Sequence, residues 1–208
     1  MRKRICASLA GVILSGVSIA IFRSADLGSD PFTVLCTGIG CFMGKTYGEV
    51  FTILTGIGIV IALLLKRSLV GIATLLNICG VGLIGDSLYA CLDIFKIAEQ
   101  VLAIRLCFMA FGIILQCFAA ALYYSADLGV SGYDAIAIIC SDRMSVDFKK
   151  CRISTDVFCI IVGCVLGGTA GIGTILTAFC MGGFIQFFRK KIVDIWLSDK
   201  SESLKKNQ

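Results

Sequence analysis

The chain of 208 residues contains no histidine, and only 16% of its residues are charged. Without histidine there can be no Ser-His-Asp triad and no Cys-His pair. A membrane enzyme built from carboxylates or cysteines alone would need its nucleophile and base brought together, and no motif does so. No enzyme is expected. Ordinary soluble domains carry roughly 25% charged residues, so the shortage of charge excludes a sizeable soluble domain. The twelve cysteines include no Cys-x-x-Cys spacing. That removes the clustered ligands of a structural zinc or iron–sulfur site, so neither metal nor cofactor is expected. Cys79, Cys117, Cys159, Cys164 and Cys180 sit inside apolar runs, where cysteine packs as a small apolar residue. A disulfide framework does not suit a chain lying mostly within a bilayer.

What is present is apolar. Hydrophobic residues make up 58% of the chain, and the mean hydropathy is +0.95. Runs long enough to span a bilayer, for which about 20 residues suffice, recur along the length. The expected fold class is all-α, a polytopic membrane protein whose constant partner is the lipid bilayer. The net charge of +5 is no nucleic-acid signal, because what matters is where the charges sit. The opening MRKRICASLAGVILSGVSIAIF resembles a signal peptide. Several apolar segments follow it, so it reads as an uncleaved first span.

Six spans are expected, at about Ile5–Phe22, Tyr47–Leu65, Ser68–Leu92, Val101–Tyr124, Asp156–Leu166 and Ile172–Phe188. The last two divide the 33 residues from Asp156 to Phe188, which carry no charge beyond Asp156 itself, at the glycine cluster GGTAG (167–171), since glycines punctuate helices. The fifth span would be short, or tilted into a thinned region of bilayer. The basic, aromatic FFRKKIVDIW stretch suits the headgroup level, where anionic lipid attracts it. The tail SDKSESLKKNQ is polar.

SADLG occurs twice, at 24–28 and 125–129, and the duplication extends further. At an offset of 101, Asp26-Leu27-Gly28 falls on Asp127-Leu128-Gly129, and Phe32 falls on Tyr133. At an offset of 100, VGIATLL (70–76) falls on AGIGTIL (170–176). This divides the chain into a repeat over 1–100, a repeat over 101–192 and a cytoplasmic polar tail over 193–208. Each repeat holds three spans, so the second is inverted relative to the first. Positive residues concentrate on cytoplasmic loops. With six spans and the N-terminus inside, fifteen Lys and Arg, Arg152 among them, lie on the cytoplasmic side and four (Arg23, Lys45, Lys96, Arg105) outside. A five-span arrangement gives nine against ten and no bias. Both termini are therefore expected in the cytoplasm.

In each SADLG phrase the glycine suits the left-handed position that ends a helix. After the first, SDPF reads as an N-cap with Pro31 at the first helical position; after the second, Ser131 is the cap. A short helix after Asp26 and another after Asp127 would thus interrupt each repeat, re-entrant or interfacial. Asp26 and Asp127 are either gating carboxylates or braces of the turn. Asp86 lies within the third span, where an ionisable group is costly and faces a protein interior or a water path, unless it reaches the span's outer end. Its repeat partner is Gln186, and Asn77 pairs with Thr177. These residues suggest two polar columns around a central solute or ion path. Glu49 and Asp156 begin spans 2 and 5, where a carboxylate complements the helix dipole. GIGCFMGKT (38–46) misses the phosphate-loop spacing by one residue, which argues against a nucleotide site.

SADLGSDPFTVL, SADLGVSGYDAI and GGTAGIGTILTAFCMGG together resemble the YczE/YyaS/YitT group of bacterial integral membrane proteins, over roughly residues 5–190. Ala25–Gly28 and Ala126–Gly129 match the group's Ala-Asp-Leu-Gly hallmark. Pro31 and Phe32 match its Pro-aromatic-Asp stretch in the first copy, where Thr33 replaces the acid. In the second copy Asp134 matches and Gly132 replaces the proline. The resemblance implies a multi-pass protein of the bacterial inner membrane and says little about activity. The leading expectation is a small-solute or ion transporter or channel-like protein, with Asp86, Asp26, Asp127 and Asp134 along its path. The alternative is an accessory subunit of a membrane complex. A homo-oligomer is compatible with either, and no nucleic-acid partner is expected.

Overall fold

The computed structural model describes residues 1–193, so the expected tail lies outside the described residues apart from Val193. Among the described residues eight α-helices run in order: α1 Arg2–Ala25, α2 Pro31–Met43, α3 Tyr47–Leu65, α4 Ile72–Asp93, α5 Leu102–Ala126, α6 Gly132–Met144, α7 Phe148–Val165 and α8 Ile172–Phe188. A π-helical turn, Arg189–Val193, extends α8. No strand occurs among the described residues. Each half therefore has the same order of one long helix, one helix of 13 residues, and two further helices.

Helices α1, α3, α4 and α5 are each long and apolar enough to cross a membrane, and the bent pair Ile172–Phe179 and Met181–Val193 makes a fifth if counted as one span. α3 shows the pattern that fits lipid. Phe51, Thr55, Gly58 and Ala62 form its buried stripe, while Ile53, Ile57, Val60 and Leu64 are exposed on another face. Both sets follow the helical period, and exposed apolar faces on several helices mark a surface made for something other than water.

The expected boundaries of spans 2 and 6 coincide with α3 and α8. Span 5 does not. α7 begins at Phe148, so KKCRISTD forms its first turns instead of a loop, and Asp156 lies mid-helix. The charges there are tolerated because Arg152 is paired with Asp134 and Asp156 inside the protein, while Lys149 and Lys150 are exposed. Glu49 does act at a helix start. Its carboxylate accepts from the Thr46 N–H at 2.9 Å while the Thr46 hydroxyl accepts from the Glu49 N–H at 3.2 Å, a reciprocal cap.

The SADLG phrases form the turns that leave α1 and α5. The left-handed residues that end these helices are Asp26 (φ 48°) and Asp127 (φ 51°), not the glycines. Aspartate tolerates that conformation better than most side chains. Gly28 (φ 95°) and Gly129 (φ 121°) are needed for another reason. The first turn docks on the start of α8, where the Leu27 carbonyl accepts from the Gly173 N–H at 2.9 Å. The second docks on the start of α4, where the Leu128 carbonyl accepts from the Ala73 N–H at 3.1 Å. A methyl group on Gly28 would lie 2.5 Å from the Gly171 nitrogen, and one on Gly129 would lie 2.7 Å from that of Gly71. Each half thus clips the start of the other half's last helix.

The same exchange recurs in the packing. α2 lies against α7, and α6 against α3. Backbones approach closely where Gly38 meets Gly163 and where Gly58 meets Gly132, the small-residue contact that lets membrane helices pack. α1 and α5 run antiparallel: Gly11 faces Ala119 and Tyr123, while Phe22 faces Gly112. The Ser18 hydroxyl donates to the Gly112 carbonyl at 2.9 Å.

Candidate functional site

Asp30 caps α2, its carboxylate accepting from the Thr33 N–H at 3.1 Å and the Thr33 hydroxyl at 2.7 Å. Ser131 caps α6, accepting from the Asp134 N–H at 3.1 Å. Both starts border one central cavity of about 120 Å³, walled also by α1, α3, α4, α5 and α7. Phe32 and Tyr133, which share a position in the internal repeat, meet there as a stacked pair with ring centres 4.6 Å apart.

Charge enters from α6 and α7. Arg152 pairs with Asp134, lies 3.5 Å from Asp156, and sits 4.5 Å over the Tyr133 ring. Tyr133 donates to Asp156, and Tyr124 donates to Asp134 at 2.9 Å. The guanidinium is therefore committed to two carboxylates.

Five buried side-chain oxygens on the cavity wall lack a hydrogen-bond partner among the described residues: Tyr47 Oη, Thr55 Oγ1, Asn77 Oδ1, Gln116 Oε1 and Tyr123 Oη. Thr33 neighbours the Tyr47 hydroxyl and Thr74 that of Tyr123, short of full hydrogen-bond geometry. Tyr47, Thr55 and Tyr123 are 2%, 1% and 5% exposed. A buried polar atom without a partner costs about 1–3 kcal/mol, so five around one space describe a cavity made for polar contents. Water or a small polar solute would satisfy them.

A second pocket of about 340 Å³ lies beside Arg23, Lys45, Tyr47, Asp86 and Tyr89. Asp86 pairs with Arg23 at 2.7 Å and accepts from the Gly48 N–H at 2.7 Å. The Arg23 guanidinium lies 4.1 Å over the Tyr89 ring and 5.1 Å over that of Tyr47. Tyr47 lines both spaces.

Of the residues the sequence suggested, Asn77 and Asp134 line the central cavity. Asp86 is in the second pocket instead, drawn there by its arginine. Gln186 is exposed and is not brought to Asp86. Thr177 is buried, but its hydroxyl donates to the Thr174 carbonyl at 3.0 Å within its own helix. The two expected polar columns are therefore not assembled. Asp26 and Asp127 lie on exposed turns outside the cavity. Arg105 donates to the carbonyls of Ala25 and Asp26 at 2.8 and 2.6 Å, satisfying oxygens that the end of α1 leaves open. Sequence reasoning passed over Asp30, Tyr47, Thr55, Gln116, Tyr123 and Arg152 as cavity residues. Only Asp30 had a readable signal, as an acidic cap directly before the chain's single proline.

Apolar spanning helices around a polar interior define a multi-pass helical membrane protein. The chain belongs to a family of unknown function, DUF6198, whose model matches residues 2–190. It is 29% identical to an "Uncharacterized protein" of Haemophilus influenzae over 89% of this chain and 83% of that one. It is also similar to two Bacillus subtilis proteins. The "Uncharacterized protein YyaS" is 23% identical over 88% of this chain and 90% of its own length. The "Uncharacterized membrane protein YczE" is 25% identical over 86% and 81%. No solved structure matches significantly.

Proposed function

We propose that the protein is a small-solute transporter or channel-like protein of the bacterial inner membrane, with the central cavity as its solute site. The observation that carries this is the ring of unpartnered polar oxygens where the starts of two short helices, one from each half, converge. Interrupted helices meeting at the interface of two inverted repeats build the sites of many transporters. The reading takes the two halves as inverted three-span repeats, six spans in all, with α7 as the short fifth span and both termini in the cytoplasm. The antiparallel α1–α5 pair and the reciprocal docking of the SADLG turns support inversion. Moving Arg152 from the cytoplasmic side to the interior leaves fourteen positive residues inside against four outside, so the bias survives.

Proteoliposomes loaded with a panel of small cations, anions and neutral solutes test this. Wild-type protein should pass at least one solute, and Thr55→Val or Asn77→Leu should slow it. Absence of flux across the panel, with a stoichiometric membrane partner co-purifying, would refute transport and favour an accessory subunit.

A further inference from the structure

The charges and the unpartnered groups around the central cavity together select a ligand class. Asp30, Asp134 and Arg152 line it, and Asp156 stands behind Arg152. Three carboxylates thus face one guanidinium. Arg152 is taken up by Asp134 and Asp156. Asp30 has no cation within ion-pair distance among the described residues, and its oxygens are held by Thr33 of its own helix. Arg152 acts on it only at longer range.

Helix starts ordinarily attract anions. Here each already holds a carboxylate of its own, with Asp30 as the cap of α2 and Asp134 in the first turn of α6. An anionic solute would meet two neutralised helix ends and an excess of negative charge. The unpartnered oxygens carry separate information. Asn77 Oδ1 and Gln116 Oε1 accept and cannot donate, so the missing group must bring N–H or O–H donors. Aromatic faces from Phe32, Tyr47, Phe51, Tyr123, Tyr124 and Tyr133 complete the wall, and such faces attract cations. No group of three or more His, Cys, Asp or Glu among the described residues could hold a metal ion.

We infer that the cavity takes a small protonated amine, a monovalent ammonium-type cation whose N–H groups donate to Asn77 and Gln116 and whose charge faces Asp30. This rests on the cavity being the solute site and adds the chemistry of the solute.

Calorimetric titration of the full chain in nanodiscs with methylammonium chloride tests it. Methylammonium should bind. Tetramethylammonium, with equal charge and no N–H donor, should bind several-fold more weakly, and acetate and acetamide should not compete. Asp30→Asn should weaken methylammonium by about tenfold or more, the usual scale for losing one charge-assisted contact. Asparagine caps a helix as well as aspartate does, so the thermal midpoint should hold. Asn77→Leu, which removes one acceptor and leaves α2 untouched, should weaken binding independently. Absence of methylammonium binding overturns the inference, as do equal binding of acetate or acetamide and undiminished affinity in both variants. Methylammonium binding without flux in proteoliposomes would uphold the cation site and refute transport. Flux of an anion or neutral solute without methylammonium binding would do the reverse.

Discussion

Replacing Gly129 by alanine should be among the most damaging single-methyl changes in the chain, and Gly44 supplies its control. Both residues have positive φ, 121° and 64°. At Gly44 a methyl group meets nothing within 4 Å, so alanine there bears only the left-handed penalty of about 1–2 kcal/mol. At Gly129 the methyl would stand 2.5 Å from the Thr74 hydroxyl and 2.7 Å from the Gly71 nitrogen, both at the start of α4. The backbone cannot keep that approach. Separating the turn from α4 breaks two hydrogen bonds, from the Ala73 N–H to the Leu128 carbonyl at 3.1 Å and from the Thr74 hydroxyl to the Val130 carbonyl at 2.8 Å. Two such bonds at about 1 kcal/mol each, added to backbone strain of about 1–3 kcal/mol, give about 3–5 kcal/mol. Unfolding by sodium dodecyl sulfate in mixed micelles, followed by circular dichroism, measures the difference. Gly129→Ala as mild as Gly44→Ala would mean that the turn is not clamped between the halves, and the interlock described above would be wrong.

Arg152→Ala should destabilise by about 2–4 kcal/mol, toward the low side for a buried pair because a third of the Arg152 side chain is exposed. The double variant with Asp134→Ala should recover part of that loss in the same unfolding assay, since it removes the orphaned carboxylate. Thr46→Ala, which removes half of the reciprocal cap on α3, should cost about 1 kcal/mol, read as an unfolding shift with no change in helix content. Single cysteines placed at Gly44 and Ser145, the ends of α2 and α6, test inversion in a background stripped of native cysteines. An impermeant maleimide should label Gly44→Cys in intact cells and Ser145→Cys only after permeabilisation; equal labelling of both would contradict inverted halves.

Much of the fold was legible because its signals are local. Long apolar runs marked α1, α3, α4, α5 and α8. Asp30-Pro31 and Ser131 marked the starts of the short helices, and Gly167–Gly171 marked the last break, each through backbone preferences that act over a few residues. The failure at α7 has the same root. Lys149, Lys150 and Arg152 read as loop, and Asp156 as the first residue of a span, because charge is costly in a span, and nothing nearby in sequence announces that Asp134, on another helix, will pair with Arg152. Asp86 was ambiguous for the same reason: its partner, Arg23, lies 63 positions away.

The sequence by itself determined that this is a helical membrane protein in which the SADLG phrase recurs, since hydropathy, capping residues and a repeated phrase are properties of short segments. Only the tertiary structure decided what the phrase does and where the polar interior lies. Leu27 and Leu128 offer their carbonyls to helices of the opposite half, and Gly28 and Gly129 give those helices room. The cavity is closed by Asp30, Thr55, Asn77, Gln116, Tyr123, Asp134 and Arg152, seven residues from six helices or their caps. Apart from Asp30, Asn77 and Asp134, none is distinctive within its own segment, because a site of this kind is a coincidence in space, and hydrogen bonds and charge pairs depend on distance, not on sequence order.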